Sequence, residues 1–169
     1  MELDISAIRD PRVRQFYTLY WPQRRIIHDF YRYLTDEQYD YRMADTLERR
    51  ADSPRESLAH ILYVQLVYMN GVRTGTLEFG PMGVDHYQEL PKEQLLAELE
   101  RIEQEMFEYL TAEGFSSRPM KVFWGGEMDA IDVLYFLRDH DILHIGWNLA
   151  LMDHLNVPRF ESLIGYWGP

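Results

Sequence analysis

The sequence predicts an all-α protein, a four-helix bundle with long crossover connections. Three observations predict it. Apolar residues recur at steps of three and four in four separate segments. Ser53-Pro54-Arg55-Glu56 is a strong helix start. Stretches rich in Gly, Ser and Pro stand between the second and third segments and before the fourth. With 46% apolar, 14% aromatic and 27% charged residues in a chain of 169, one sizeable core can form, which excludes a disordered or collagen-like chain. Nothing reads as a linker, so residues 1–169 are expected to form a single domain.

The first helix carries Val13, Phe16, Tyr17, Tyr20, Ile27, Phe30, Tyr31 and Leu34 on one face. Pro22 removes a backbone donor inside it, predicting a kink or split, with Pro22 to Leu34 the better half. In the second, Ser53 is the N-cap, Pro54 the first helical residue and Glu56 the return partner of the capping box. Leu58, Ile61, Leu62, Gln65, Leu66 and Met69 share its broad face, a stop is expected near Asn70-Gly71, and Gly71 to Gly83 reads as loop. Pro91 opens the third helix, whose stripe runs Leu95, Leu96, Leu99, Ile102, Met106, Tyr109 and Leu110. The acids Glu98, Glu100, Glu103, Glu105 and Glu108 of that helix read as its solvated face. Ser116 to Gly126 is loop with a short extended piece at Lys121 to Trp124, and the fourth helix runs from about Asp129 to His154. The tail, residues 157–169, holds Phe160, Leu163, Ile164, Tyr166 and Trp167, too apolar to hang free. It is expected to fold back on the bundle or to meet a second subunit in a homodimer.

A net charge of -11 repels a phosphate backbone, so nucleic acid is not an expected partner. The N-terminal segment lacks the apolar core of a signal peptide, and the most apolar run, Leu58 to Met69, is too short to span a bilayer; the expected setting is the cytoplasm, with no membrane partner. No cysteine is present, which excludes disulfides, thiolate metal sites and a cysteine nucleophile. Any metal site must be built from His, Asp or Glu.

His140 and His144 are four residues apart, so on a helix they project from one face and can share a cation. Val133, Leu137, Trp147 or Asn148, and Leu151 place that face toward the apolar interior. His60, on the second helix, is available as a third imidazole. The competing reading is that each histidine is an ordinary core or boundary residue bonded to a carbonyl. His28, His86 and His154 read as surface or loop residues, with His28 able to approach from a third side. Glu56 reads as a cap before it reads as a base, Asp139 and Asp141 as salt-bridged or exposed, and the tryptophans Trp21, Trp124 and Trp167 as core. Trp147 and Asn148 are candidates to line a substrate pocket.

The segments Tyr33-Leu-Thr-Asp-Glu-Gln38, Ser53-Pro-Arg-Glu-Ser-Leu-Ala-His60-Ile61 and His140-Asp-Ile-Leu-His144-Ile-Gly146 resemble the DinB superfamily of DinB/YfiT-like metalloenzymes. Leu34, Ser53, His60, His140, His144 and Gly146 fall in that family's motif places, across most of the chain. The resemblance implies a four-helix bundle in which His60, His140 and His144 hold a divalent metal ion, nickel or zinc, with positions left open. It also implies chemistry on a small molecule: transfer involving a low-molecular-weight bacterial thiol, or hydrolysis. A metal-binding or dimerisation module without catalysis is the alternative. Trp147 stands where the family usually has glutamine, which leaves Asn148 as the nearest amide.

Overall fold

The computed structural model describes residues 3–80, 83–112 and 114–168. Residues 81 and 82 of the expected Gly71 to Gly83 loop, residue 169 of the tail, and residues 1, 2 and 113 of the expected domain lie outside the described residues.

Helix α1 runs Pro11–Tyr33 behind Asp10, whose carboxylate accepts from the Arg12 and Val13 amides at 2.8 and 3.4 Å. It passes unbroken through Pro22, where the sequence predicts a kink or split. Packing on both sides supplies the reason, since Tyr20, Trp21, Ile26 and Ile27 are all buried and outweigh one lost hydrogen bond. The short α2 (Asp36–Tyr39) is capped by Thr35. Helix α3 (Pro54–Thr74) starts with the expected capping box. It runs a turn past the expected stop at Gly71, ending at Gly75 in the left-handed conformation (φ 76°).

The extra turn is explained by what lies on Gly71. A Cβ there would stand 3.1 Å from Leu77 Cδ1 and 3.3 Å from Leu77 Cα, so the glycine serves close packing and not termination. Leu77 belongs to β1 (Thr76–Leu77), which pairs in parallel with β2 (Pro119–Val122). β2 returns antiparallel to β3 (Glu127–Asp129) through a turn in which Gly125 and Gly126 have φ of 100° and 90°. The molecule is therefore mostly helical, with a small three-stranded sheet where only loop and a single extended piece are expected. Met120 and Val122 alternate inward, too short a pattern to separate from loop.

After the four-residue α4 (Asp85–Gln88), α5 (Lys92–Leu110), α6 (Ala130–His154) and α7 (Glu161–Trp167) complete the chain. The four long helices close a ring around the core: α1 packs on α6, α6 on α3, α3 on α5 and α5 on α1. Tyr20 donates to Gln65 at 2.8 Å and Tyr31 to Ser57 at 3.0 Å, which sets α3 antiparallel to α1. Arg12 pairs with Asp129 and Asp132 and Arg24 with Asp141, which sets α6 parallel to α1. Arg24 also pairs with Glu103, and Lys92 donates to the Leu34 carbonyl, so α5 opposes α1. Helices α3 and α5 thus point the same way, and the connection between them must travel back along the bodies of the helices. The tail lies on α1, with Leu163 buried and Ser162 donating to Asp29 at 2.6 Å. No helix among the described residues is long and apolar enough to cross a membrane.

Candidate metal centre

His60 sits on α3 two turns beyond the cap; His140 and His144 sit on α6 one turn apart. The two antiparallel helices bring the three rings edge to edge. His60 Nε2 lies 3.0 Å from His140 Nε2, and His144 Nε2 lies 3.1 Å from the same atom. Among the described residues these three form a group able to hold a metal ion, and no Asp, Glu or further His joins them. All three are half-buried. The sequence places the His140/His144 face toward the interior, and this needs correcting: the buried stripe of α6 is Leu134, Leu137, Asp141, Ile145, Asn148 and Leu151. The histidines stand one step to its side, at the mouth of a cleft of about 360 Å³ walled by Ala51, Asp52, Ser57, Leu143 and Trp147.

The donor set fits a divalent cation. Burial, then the neighbouring His140, pushes the His144 imidazole down to about 3, and the same two causes in the same order lower His60. Both rings are neutral at pH 7, the state in which imidazole offers a lone pair. Separations of 3.0 and 3.1 Å match edges of a coordination shell whose metal–nitrogen bonds are ~2.1 Å. An ordinary core histidine bonds to a carbonyl; here three ring nitrogens face one another instead.

The rings are held from behind. His144 Nδ1 is 2.9 Å from Ser57 Oγ, which also accepts the Tyr31 hydroxyl. With Nδ1 donating to Ser57, the Nε2 lone pair of His144 is free for a cation. His140 Nδ1 and Asp141 Oδ1 are both buried without a hydrogen-bond partner and stand 3.6 Å apart, an electrostatic contact longer than a hydrogen bond. Asp141 is fixed on its other oxygen by Arg24 at 2.9 Å. Arg24 is held in turn by Glu103 at 2.6 Å, and Glu103 meets His28 Nε2 at 2.8 Å. Burial raises the Glu103 and Asp141 carboxyls, but Arg24 and the neighbouring histidine outweigh it and the net direction is down for both.

This buried network corrects two expectations and adds to a third. His28 is buried on α1 and bonded to Glu103, neither at the surface nor a member of the trio. Glu103 leaves the solvated acidic face of α5 for the core. Asp141 is salt-bridged, as one of its two expected fates, and also stands behind His140. A signal was present in the sequence. Tyr17, Tyr20, Arg24, Ile27 and Tyr31 share the inner stripe of α1; Leu99, Glu103, Met106 and Leu110 share that of α5; Leu137, Asp141, Ile145 and Asn148 share that of α6. Three charges on three apolar stripes are a pattern for buried pairing.

Glu56 is engaged at the cap: it accepts the Ser53 amide at 2.8 Å and pairs with Arg42 and Arg50. Asp139 is exposed and pairs with Arg138; His86 is exposed, and exposed His154 meets the Tyr41 hydroxyl. Trp147 lines the cleft, whereas Asn148 is buried off it, with neither amide atom bonded. Trp21 is core, while Trp124 and Trp167 are exposed, contrary to the expectation that they are core.

The profile of the DinB superfamily matches residues 23–147, which include all three histidines of the trio, and the chain belongs to that superfamily. The fold is similar to a DinB-like protein from Bacillus cereus ATCC 10987, at 17% identity and a TM-score of 0.65, over 88% of this chain and 97% of that one. It is also similar to a DinB-like protein from Bacillus subtilis, at 17% identity and a TM-score of 0.55, over 87% and 95% of the two chains. No curated protein matches the chain.

Proposed function

We propose that this protein is a metal-dependent enzyme of the four-helix-bundle DinB type, binding nickel or zinc through His60, His140 and His144 and acting on a small thiol. The observation that carries this reading is the convergence of three imidazole nitrogens from two helices. Nitrogen donors of this kind suit borderline divalent ions. Three ligands leave coordination positions free, the pattern of catalytic sites, whereas a structural site is closed by a fourth protein ligand. When bound, the ion supplies Lewis acidity that lowers the pKa of a thiol or of water. In a chain without cysteine, a thiol nucleophile has to arrive from outside.

The protein's own groups have separable tasks. Ser57 fixes the ring orientation of His144, Asp141 sets a buried negative charge behind His140, Leu143 and Trp147 line the cleft, and Asp52 sets a negative charge at its rim. The acidic surface disfavours nucleic acid as a partner.

Metal analysis of purified protein is expected to find about one divalent ion per chain, lost in His144→Ala. An equal metal content in that variant sinks the site. Loaded protein is then screened against low-molecular-weight thiols with electrophilic partners, beside ester and amide substrates. Turnover only of the latter replaces the transferase reading with a hydrolase, and no turnover at all leaves a metal-binding module.

A further inference from the structure

A second feature adjoins the trio. Phe136 lies one helical turn before His140 on α6, and Tyr63 one turn after His60 on α3, each on the same face as its histidine. From these two rings an unbroken aromatic chain crosses the surface. Tyr63 meets Phe79 at 6.0 Å, Phe79 meets Phe123 at 5.2 Å, Phe123 meets Trp124 at 4.8 Å, and Trp124 meets Phe136 at 5.1 Å between ring centroids. Four of the five are largely open to solvent: Phe79 48%, Phe123 60%, Trp124 44% and Phe136 46%. Two come from the tight glycine turn of the β2–β3 hairpin, so the sheet serves to hold them there.

Exposed aromatic rings in contact are uncommon on a protein surface without a binding role. Inclined at 75°, 82° and 55° to one another along Phe79, Phe123, Trp124 and Phe136, they present alternating faces and edges, a surface matched to flat rings. A protein partner seated here would lie one turn from His60 and His140 and crowd the approach to the centre. An occupant compatible with an open centre is a small molecule.

We infer that this aromatic ladder binds the flat, apolar body of the substrate whose reacting end reaches the three-histidine centre. The inference rests on the metal-enzyme reading for what stands at that end, and on the ladder alone for the body. It specifies an aromatic or polycyclic substrate class in place of a wholly polar one.

The test uses the full chain loaded with zinc, titrated calorimetrically with ethanethiol and with an ethanethiol carrying a terminal naphthyl ring, two alkyl thiols of matched sulfur chemistry. The naphthyl compound is expected to bind about 30-fold more tightly to the wild type, from the apolar area it buries. In Trp124→Ala/Phe136→Ala the ratio falls to about threefold or less, with zinc content retained. If that variant does not fold by circular dichroism, Phe123→Ser, at the most exposed rung, is expected to lower the ratio in the same direction. An unchanged ratio in a folded variant overturns the inference, as does a wild-type dimer in sedimentation that the ladder substitutions dissociate. Failure of the metal reading shows separately, as absence of bound zinc. Naphthalene is then titrated into zinc-free protein: binding that the ladder variant loses sustains the inference, and no binding overturns it.

Discussion

Arg24 is the residue on which the interior depends most. Its guanidinium is fully buried and holds two buried carboxylates, Glu103 and Asp141, on two different helices. Truncating it strands both charges in the core, and the loss of one partner from a buried ion network typically costs about 3–5 kcal/mol. Arg24→Ala is therefore expected to lower unfolding free energy by that amount in urea titrations. The triple replacement Arg24→Met, Glu103→Gln, Asp141→Asn should cost less than Arg24→Ala alone, because no unpaired charge remains. If the single variant is as stable as the wild type, the network is not held as described. His140 feels the same network through Asp141, so folding stability and the negative charge behind His140 share one support.

Among the elements, α3 makes the clearest predictions, since both its ends carry special chemistry. At the N-terminus, hydrogen bonding from Arg42, against burial and with help from the Ser53 amide, holds the Glu56 carboxyl down at about 2, below its ordinary 4.5. A carboxyl whose pKa is lower folded than unfolded stabilises the fold fully above about pH 4.5, and that contribution fades as pH falls toward 2. The stability difference between wild type and Glu56→Gln should therefore be constant near neutrality and shrink across that window; a difference independent of pH would remove the cap from the account. At the other end, Gly71→Ala would usually stabilise a helix interior by about 1 kcal/mol. Here the new methyl meets the Leu77 side chain and backbone, and Leu77 is tied to β2, so a loss of about 1–3 kcal/mol is expected. Thermal denaturation of this one variant decides the sign.

For the whole molecule, the trio joins α3 to α6 across an interface that the ring of helices already buries, so a bound ion should tighten the native state. At a free ion concentration ~100 times the dissociation constant the gain is about 2.7 kcal/mol. In a chain of this size that corresponds to a Tm rise of about 5–10 °C. Thermal scans with zinc or nickel, reversed by a chelator, check this. The rise should vanish in His144→Ala, and a Tm indifferent to metal in the wild type would count against the centre.

What the sequence by itself determined was whatever lies within a few residues or repeats with a helical period. The four long helices, the Ser53 cap, the apolar stripes and the i, i+4 histidine pair are of this kind, because local hydrogen bonding and burial of one face dictate them. The motif likeness added His60 as the third member. What only the tertiary structure decided is whatever needs partners far apart in the chain. Gly71 read alone is a stop, until Leu77 is seen lying on it; Pro22 read alone is a break, until its neighbours are seen packed on both sides. Glu103 and His28 read as solvent-facing, Asp141 as salt-bridged or exposed, and with Arg24 they become one buried network only where α1, α5 and α6 meet. The aromatic ladder likewise gathers rings from α3, a loop, a hairpin and α6. Periodicity states which face of a helix turns inward, and it is silent on which side chains of other helices wait there.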